Sequence, residues 1–423
     1  MISGPPRGMR DFYPEDVRLR NWLFSLWREV SESFGFEEYD GPLVESEELF
    51  TRKSGEEIVG QLYNFEDKGG RRLALRPEMT PTLARMIIAK GTSLPRPIKW
   101  FSIPQCFRYE RMSRGRRREH YQWNLDIVGV KEPSAEAEVI AAAVEFLKRA
   151  GLGKDDFKVF LSNRRLLATL LRSKGLPDEK FAEVCVVIDK KGKVAEPALK
   201  EMMENLGLSA AMVDGVFEVL RVDSLEEAEG LLVGTNTSLE ALEETKRVLE
   251  YLSYYGLAGF CRFDISIVRG LLYYTGPVFE LFDVDRKFRA ICGGGRYDNL
   301  LESYGGGKVT AVGLGFGDVV ISEILAEKRL LPDFQKKIDF VVIPFSQQER
   351  KVAMELSQSL RTKGNNVSIT LDTRKLGKAL AGADRAGAEK VAIVAPDELA
   401  EGKVVLRDMR TGEEKAVPIG EVG

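Results

Sequence analysis

The sequence predicts an α+β fold in two parts, and three observations predict it. First, residues 98–110 and 119–130 read as two strands of an antiparallel pair joined by a basic loop. The second strand alternates cleanly, with Tyr121, Trp123, Leu125 and Ile127 on one face and His120, Gln122, Asn124 and Asp126 on the other. Second, helical patterns dominate from about 164 to 235, a mostly helical insertion. Third, around Leu331-Pro332-Asp333 the pattern changes to strand–helix alternation, the mark of a separate small α/β domain. The expected boundaries are 1–325 for the main domain with its insertion, 326–337 for a linker and 338–423 for the C-terminal domain.

Each element has its own local reason. Leu19, Leu23, Leu26, Val30 and Phe34 recur at helical spacing over 17–34, and Gly35 is a stop. An extended stretch runs to Gly41-Pro42. Leu62 to Phe65, a turn at Asp67-Lys68-Gly69-Gly70, and Arg72 to Leu75 predict a hairpin. Thr80-Pro81 reads as an N-cap and first helical position, with the helix continuing over 82–90. Helices follow at 135–150 and 239–255. Strands are expected at 261–268, 274–283 and 288–292, punctuated by Gly293-Gly294-Gly295, and one near 309–316 leads into a helix at about 318–328. In the last part, 338–344, 367–371 and 390–394 read as strands, and 347–363 and 375–386 as helices.

Composition narrows the function. The chain has 423 residues, 44% hydrophobic and 30% charged, as in a soluble globular protein of two or three domains. Its net charge of −3 gives no global attraction for nucleic acid, so any such contact needs local basic patches. The one histidine is His120, and Cys106, Cys185, Cys261 and Cys292 form no C-x-x-C pair, which argues against zinc. A Ser-His-Asp triad would have to use His120. Sparse cysteines, no signal peptide at the N-terminus and no apolar run of spanning length predict a cytoplasmic chain away from membranes.

Two segments carry the chemistry. Phe107-Arg108-Tyr109-Glu110-Arg111 leads through the basic loop to the polar face of 120–126. More than 140 residues later comes Ile267-Val268-Arg269-Gly270-Leu271-Leu272-Tyr273-Tyr274-Thr275-Gly276. Two fixed arginines near carboxylates suit phosphate chemistry on an anionic substrate. Loop 111–118 holds five arginines in eight residues; alone it is a solvated hairpin tip, but beside Arg108 it suits phosphate and RNA-backbone contact. Taken singly, Glu78 and Asp126 read as surface or ion-paired carboxylates, Tyr273 and Tyr274 as core aromatics, and His120 as structural. Gly305-Gly306-Gly307-Lys308 lacks a P-loop's upstream glycine and is followed by Val309. Gly313-x-Gly315-x-Gly317 has the wrong spacing for a dinucleotide fingerprint. Both read as tight turns and close backbone approach.

Together these residues resemble the histidyl-tRNA synthetases, within the class II aminoacyl-tRNA synthetases. Residues 105–129 resemble the family's motif 2, and Arg269 to Gly276 its histidine-specific signature. Gly294-Gly295-Arg296-Tyr297-Asp298 resembles a second specific motif. Arg76-Pro77-Glu78-Met79-Thr80 is similar to the amino-acid-binding segment, with Met79 where glycine is usual. Phe34 to Val44, with Pro42, resembles the motif 1 of the dimer interface, Gly8-Met9-Arg10-Asp11-Phe12 the N-terminal signature, and 374–418 the anticodon-binding domain.

The resemblance implies an antiparallel sheet flanked by helices, a C-terminal anticodon-binding domain and an ATP-dependent histidine–tRNA ligase. Its partners would be ATP with magnesium, L-histidine, tRNA(His) and a second copy of the chain; it indicates no particular metal ligands. Arg108 and Arg269 would hold the α-phosphate and the substrate carboxylate. Glu78, Thr80 and Gln122 would read the α-amino group. Asp126 and Tyr274, beside Tyr273, would bind the imidazole. His120 stands at the adenine-stacking position, where phenylalanine is usual, and Glu110 and Arg116 would face ATP. Two positions depart from the pattern: Leu272 replaces an aspartate, and Val320 replaces the motif 3 arginine that grips the γ-phosphate, leaving Arg116 or Arg118 to compensate. The rival reading is the non-catalytic, histidine-binding regulatory subunit of ATP phosphoribosyltransferase.

Overall fold

The computed structural model describes residues 4–52, 59–192, 194–233, 238–269, 273–334, 338–372 and 375–423. Leu272, residues 335–337 of the expected linker, residue 374, and 193, 234 and 235 of the insertion lie outside the described residues. The chain divides into two compact units, Met1–Leu331 and Pro332–Gly423.

In the first unit the strands are β1 (Glu37–Glu38), β2 (Val44–Ser46), β3 (Tyr63–Glu66), β4 (Arg72–Leu75), β5 (Ile98–Ser102), β6 (Gln105–Phe107), β7 (Glu119–Val128), β8 (Phe157–Asn163), β9 (Cys261–Phe263), β10 (Pro277–Asp283), β11 (Cys292–Arg296) and β12 (Ala311–Gly317). Among the described residues, nine of them form one sheet, ordered β1-β5-β7-β12-β11-β10-β8-β9, with β6 added beside β7. Its pairs are antiparallel except β1–β5 and β8–β9. Strands β2, β4 and β3 make a separate small sheet.

The alternation of β7 plays out as expected. Trp123, Leu125 and Ile127 enter the main core under helices Pro14–Ser33 and Ser134–Arg149. There the Trp27 and Trp123 rings stack at 6.0 Å, and Trp123 Nε1 donates to Ser31 Oγ at 2.9 Å. That leaves the opposite face free for polar groups. Helix Ser134–Arg149 is also tied to the sheet by a buried ion pair. Arg296 Nε and Nη2 donate to the two Glu136 oxygens at 2.6 and 2.7 Å, and Nη1 donates to the Val130 carbonyl at 3.0 Å. A buried charge pair is tolerable when its hydrogen bonds are met in this way.

Several expectations need correction. The strand expected over 98–110 breaks at Ile103-Pro104, because proline has no N–H for the ladder; the register still runs on, with Ser102 opposite Asn124 and Gln105 opposite Tyr121. Helix Thr80–Lys90 begins at Thr80, with Met79 at the N-cap position and no side-chain cap, so Thr80 is helical rather than a cap. Strand β9 ends at Phe263, and the chain then turns on Asp264, whose Oδ1 accepts from Ser266 N at 3.0 Å. Gly293, Gly294 and Gly295 lie inside β11 rather than punctuating it. Strand β8 is an addition to the expected elements.

The insertion has a core of its own. Helices Arg164–Ser173, Phe181–Ile188, Glu196–Asn205, Ala210–Val219 and Leu225–Leu232 bury Leu167, Leu171, Val184, Met203 and Val216 together.

In the second unit the strands are β13 (Ile338–Pro344), β14 (Val367–Ile369), β15 (Ala388–Val394), β16 (Lys403–Asp408) and β17 (Glu414–Pro418), ordered β14-β13-β15-β16-β17. The first three are parallel, as strand–helix alternation requires, and the last two extend the sheet antiparallel, which the alternation does not signal. Helix Arg350–Thr362 packs Leu356 and Leu360 on Phe340 and Val342, while helix Leu376–Arg385 packs Ala379 and Ala383 on Val341 and Ile343.

Candidate active site

The polar face of β7 is the floor of the site. His120, Gln122 and Asn124 open into a cavity of about 770 Å³, and Asp126, buried, continues the row. The neighbouring strands carry glycine where side chains must cross them. The register sets Gly313 opposite Asp126, Gly315 opposite Asn124 and Gly317 opposite Gln122. A Cβ at Gly313 would lie 2.2 Å from Asp126 Oδ1, one at Gly315 2.4 Å from Gln122 Nε2, and one at Gly293 2.6 Å from Arg269 Nη1. Close approach is therefore the purpose of these glycines; tight turns are not, since all lie within β11 and β12.

One end of the cavity is lined by buried groups and rich in phenols. Glu78 sits just before helix Thr80–Lys90, and its Oε2 accepts from the Tyr273 hydroxyl at 3.2 Å while Oε1 is buried without a partner. Burial pushes the Glu78 carboxyl up, against the pull of Arg108, the Tyr273 hydroxyl and Arg269. Thr80 and Tyr274 line the same end. Asp126 Oδ1 accepts from the Tyr297 hydroxyl, and burial pushes this carboxyl up to about 7 even though that bond holds it down.

Two arginines enter the cavity from different segments. Arg108 follows β6, and its Nε donates to the Pro77 carbonyl at 2.9 Å. Arg269 adopts φ 58, a left-handed conformation uncommon outside glycine, with its preceding carbonyl at Val268 held by Arg164 Nη1 at 3.2 Å. Its Nη1 donates to Glu280 Oε1 at 2.5 Å, while its Nε is buried without a partner. Burial opposes this charge, but Glu280, with Tyr274 and Tyr273 adding to it, outweighs burial and holds the guanidinium in its charged form.

The other end is basic. Arg116 Nε lies 2.5 Å from Glu110 Oε2, and both residues line the cavity with Arg117. The rest of the loop is docked elsewhere. Arg114 binds Glu323 at 3.3 Å and Glu327 at 2.9 Å on helix Asp318–Glu327. Arg118 lies over the Tyr109 ring at 3.7 Å and donates to the Glu110 carbonyl at 3.2 Å, outside the cavity lining. Val320 borders the cavity but is buried against the main core beneath Gly115, where a Cβ would lie 3.1 Å from Val320 Cγ2.

His120 Nε2 is 3.3 Å from Gln122 Oε1, and Gln122 Nε2 donates to Asn124 Oδ1 at 2.8 Å. Burial, with Arg108 adding to it, pushes the imidazole down to about 4, so the ring is neutral near pH 7. Behind it the N-terminal segment is pinned by Arg10, which meets Glu119 at 2.6 Å and Asp318 at 3.0 Å. Burial pushes Asp318 up to about 6, with Arg10 holding it down.

A family model described as histidyl-tRNA synthetase matches residues 8–317, and one described as anticodon binding domain matches 339–423. The chain belongs to the histidyl-tRNA synthetase family. It is 45% identical over 418 residues to the chloroplastic/mitochondrial histidine–tRNA ligase of Arabidopsis thaliana, covering 99% of this chain and 85% of that relative. It is 41% identical to the histidine–tRNA ligase of Opitutus terrae, covering 98% and 96%. The crystal structure of histidyl-tRNA synthetase from Nostoc sp. PCC 7120 superposes with a TM-score of 0.79 at 24% identity, covering 99% and 97%, a likeness of fold. Such relatives do not favour the regulatory-subunit reading.

For a histidyl-tRNA synthetase site, sequence reasoning misses three side chains. Tyr297 stands out in the sequence only as part of a motif; its bond to Asp126 spans β12 and has no local signal. Glu280, the partner of Arg269, lies on an inward-facing position of β10 that alternation alone does not single out. Arg289, expected within a strand, instead lies between β10 and β11 and lines the basic end.

Proposed function

We propose that the chain is an ATP-dependent histidine–tRNA ligase working from this cavity. The observation that carries the reading is the run of neighbours along it: a buried carboxylate–phenol end at Glu78 and Tyr273, then Arg108 and Arg269 beside Glu78, then Glu110 3.9 Å from Arg108 and 2.5 Å from Arg116 at the basic end. That order matches an amino acid, an α-phosphate and a polyphosphate laid end to end.

Glu78, Thr80 and Gln122 read the α-amino group, and the partnerless Glu78 Oε1 suits an ammonium. Asp126 and Tyr274, beside Tyr273, take the imidazole, which offers one donor and one acceptor when neutral. The histidine carboxylate attacks the α-phosphorus of ATP, and the bond to the bridging oxygen breaks as pyrophosphate leaves. Arg108 and Arg269 hold the α-phosphate and carboxylate and meet the charge that builds up on phosphorus. A terminal ribose hydroxyl of tRNA(His) then attacks the adenylate carbonyl, and AMP departs. Positioning and charge do the work, with no covalent enzyme intermediate.

His120, neutral and flat, stacks on adenine. Magnesium would come with ATP; at the basic end Glu110 is paired with Arg116, as Glu280 is with Arg269, so the cation would be held mainly by ATP oxygens and water. The C-terminal unit supplies affinity for tRNA.

The working form is a homodimer. Leu43, Val44 and Phe65, on and beside the small sheet, are 41%, 36% and 45% exposed, an apolar group suited to a second copy of the chain. The place of action is the cytoplasm; among the described residues no helix is long and apolar enough to cross a membrane.

Histidine-dependent exchange of pyrophosphate into ATP tests the proposal. Exchange with histidine and none with other amino acids is expected. A well-folded chain that binds histidine and never exchanges would return the regulatory reading.

A further inference from the structure

The segment between β10 and β11 carries Arg289 to the basic end of the cavity, where it meets the arginine loop. A Cβ built on Gly115 would lie 3.7 Å from Arg289 Cδ and 3.1 Å from Val320 Cγ2. Arg289, Gly115 and Val320 therefore converge on one spot. There the helix Asp318–Glu327 offers a buried methyl group and no cation. The positive charge there comes from Arg289 and the arginine loop.

Among the described residues, Arg289 has no hydrogen bond and no ion pair, unlike Arg114, Arg116 and Arg118 around it. It stands close enough to Arg116 to feel its repulsion: burial and Arg116 both push the Arg289 guanidinium down, and Glu110 only partly offsets them. Nearby like charges in one cavity cost free energy in the empty protein. A multiply charged anion placed between them reverses the sign of that term and takes hydrogen bonds from both forks.

We infer that Arg289 is a binding residue for the terminal diphosphate of ATP, acting together with Arg116. The inference rests on the reading of this cavity as an ATP site with the α-phosphate between Arg108 and Arg269. From there the β- and γ-phosphates extend toward the basic end. Arg289 grips them as they become pyrophosphate. It acts on ATP and pyrophosphate and not on adenosine, AMP or histidine.

The experiment uses the full-length chain and its histidine-dependent exchange. In Arg289→Ala, the KM for ATP should rise by about tenfold or more, the scale of one lost charge-assisted contact. The KM for inorganic pyrophosphate, a substrate of the exchange, should rise by a similar factor. The KM for histidine and inhibition by AMP should stay within about twofold, which a loosened cavity would not allow. Arg289→Lys keeps the charge and should recover part of the loss in both ATP and pyrophosphate. Unchanged ATP and pyrophosphate constants in Arg289→Ala, with the wild-type chain exchanging normally, overturn the inference and leave the ligase reading standing. Equal losses for AMP and ATP overturn it as well. A wild-type chain that does not exchange overturns both together.

Discussion

The Tyr297 hydroxyl donates to Asp126 Oδ1 across the width of a strand. Asp126 belongs to β7 and Tyr297 follows β11, with β12 between them. The bond passes over Gly313, where a Cβ would lie 2.2 Å from Asp126 Oδ1 and 3.1 Å from Tyr297 Cε1. A glycine in the middle strand is what lets two outer strands share a hydrogen bond. The bond in turn fixes the carboxylate proposed to read imidazole.

Gly313→Ala should therefore damage histidine binding far more than it damages the fold. Alanine is no worse than glycine for a strand backbone, but its methyl would displace the Asp126 carboxyl. Calorimetry should show histidine affinity lowered by about tenfold or more, the cost of unpairing one buried donor, with ATP affinity nearly unchanged. Gly317→Ala is the control, because a Cβ there meets nothing within 4 Å. Equal affinities for histidine in wild type and Gly313→Ala would remove Asp126 from the histidine site.

Histidine binding should depend on pH through Asp126. Its carboxyl is pushed up to about 7, so it gains its charge as the pH rises through that value. An ionised carboxylate is the better acceptor for an imidazole N–H, so affinity should be roughly tenfold higher about one unit above the midpoint than one unit below it. Tyr297→Phe removes the bond that holds the carboxyl down, and the midpoint should move to higher pH. Asp126→Asn should lose this component. Titrations of all three forms share the ligand's own ionisation, so their differences report the protein. Superimposable curves for wild type and Asp126→Asn would contradict the assignment.

Arg269→Lys keeps a positive charge beside Glu280 but loses the planar fork. Histidyl-adenylate formation should fall by a factor on the order of a hundred in single turnover, with circular dichroism unchanged. A rate close to wild type would leave Arg269 as a partner for Glu280 and nothing more.

Arg116→Ala removes the partner of Glu110 and one of the cations facing the phosphates. The KM for ATP should rise about tenfold and that for histidine should barely move. The converse experiment is Val320→Arg, which places a cation under Gly115. A silent Arg116→Ala combined with tighter ATP binding in Val320→Arg would show that the loop does not compensate for the valine.

Residues 1–331 should form histidyl-adenylate alone. Every residue assigned to the cavity lies in the first compact unit, and the second has its own hydrophobic core. Pyrophosphate exchange should persist in this fragment and tRNA charging should be strongly impaired. A folded fragment that exchanges nothing would place part of the adenylation site beyond Leu331.

Much of the site is legible in the sequence because its residues follow a local rule. Period-two alternation by itself puts His120, Gln122, Asn124 and Asp126 on one face, since a strand's side chains alternate by geometry alone. Residues that act across strands leave no such trace. The glycines of β11 and β12 look like punctuation because the side chains that lie over them, Arg269, Asp126 and Gln122, belong to distant segments. Five arginines in one loop look alike, yet Arg114 and Arg118 are engaged in docking while Arg116 and Arg117 line the cavity.

The sequence by itself determined the elements that hydrophobic period and turn residues dictate: the alternating strand β7, helix Ser134–Arg149, the helical insertion and the strand–helix alternation of the C-terminal unit. It also determined which residues could carry the chemistry, because guanidinium, carboxylate and phenol are fixed by residue type. Tertiary structure decided which of them meet. It brought Arg269 to Glu280, Tyr297 to Asp126 and Arg289 to the arginine loop, and it buried Val320 against the core at the cavity's edge. The physical reason is range. Periodicity and turn preference act over a few residues, whereas strand order and register join segments more than a hundred residues apart, and the charge and burial of a side chain depend on that joining.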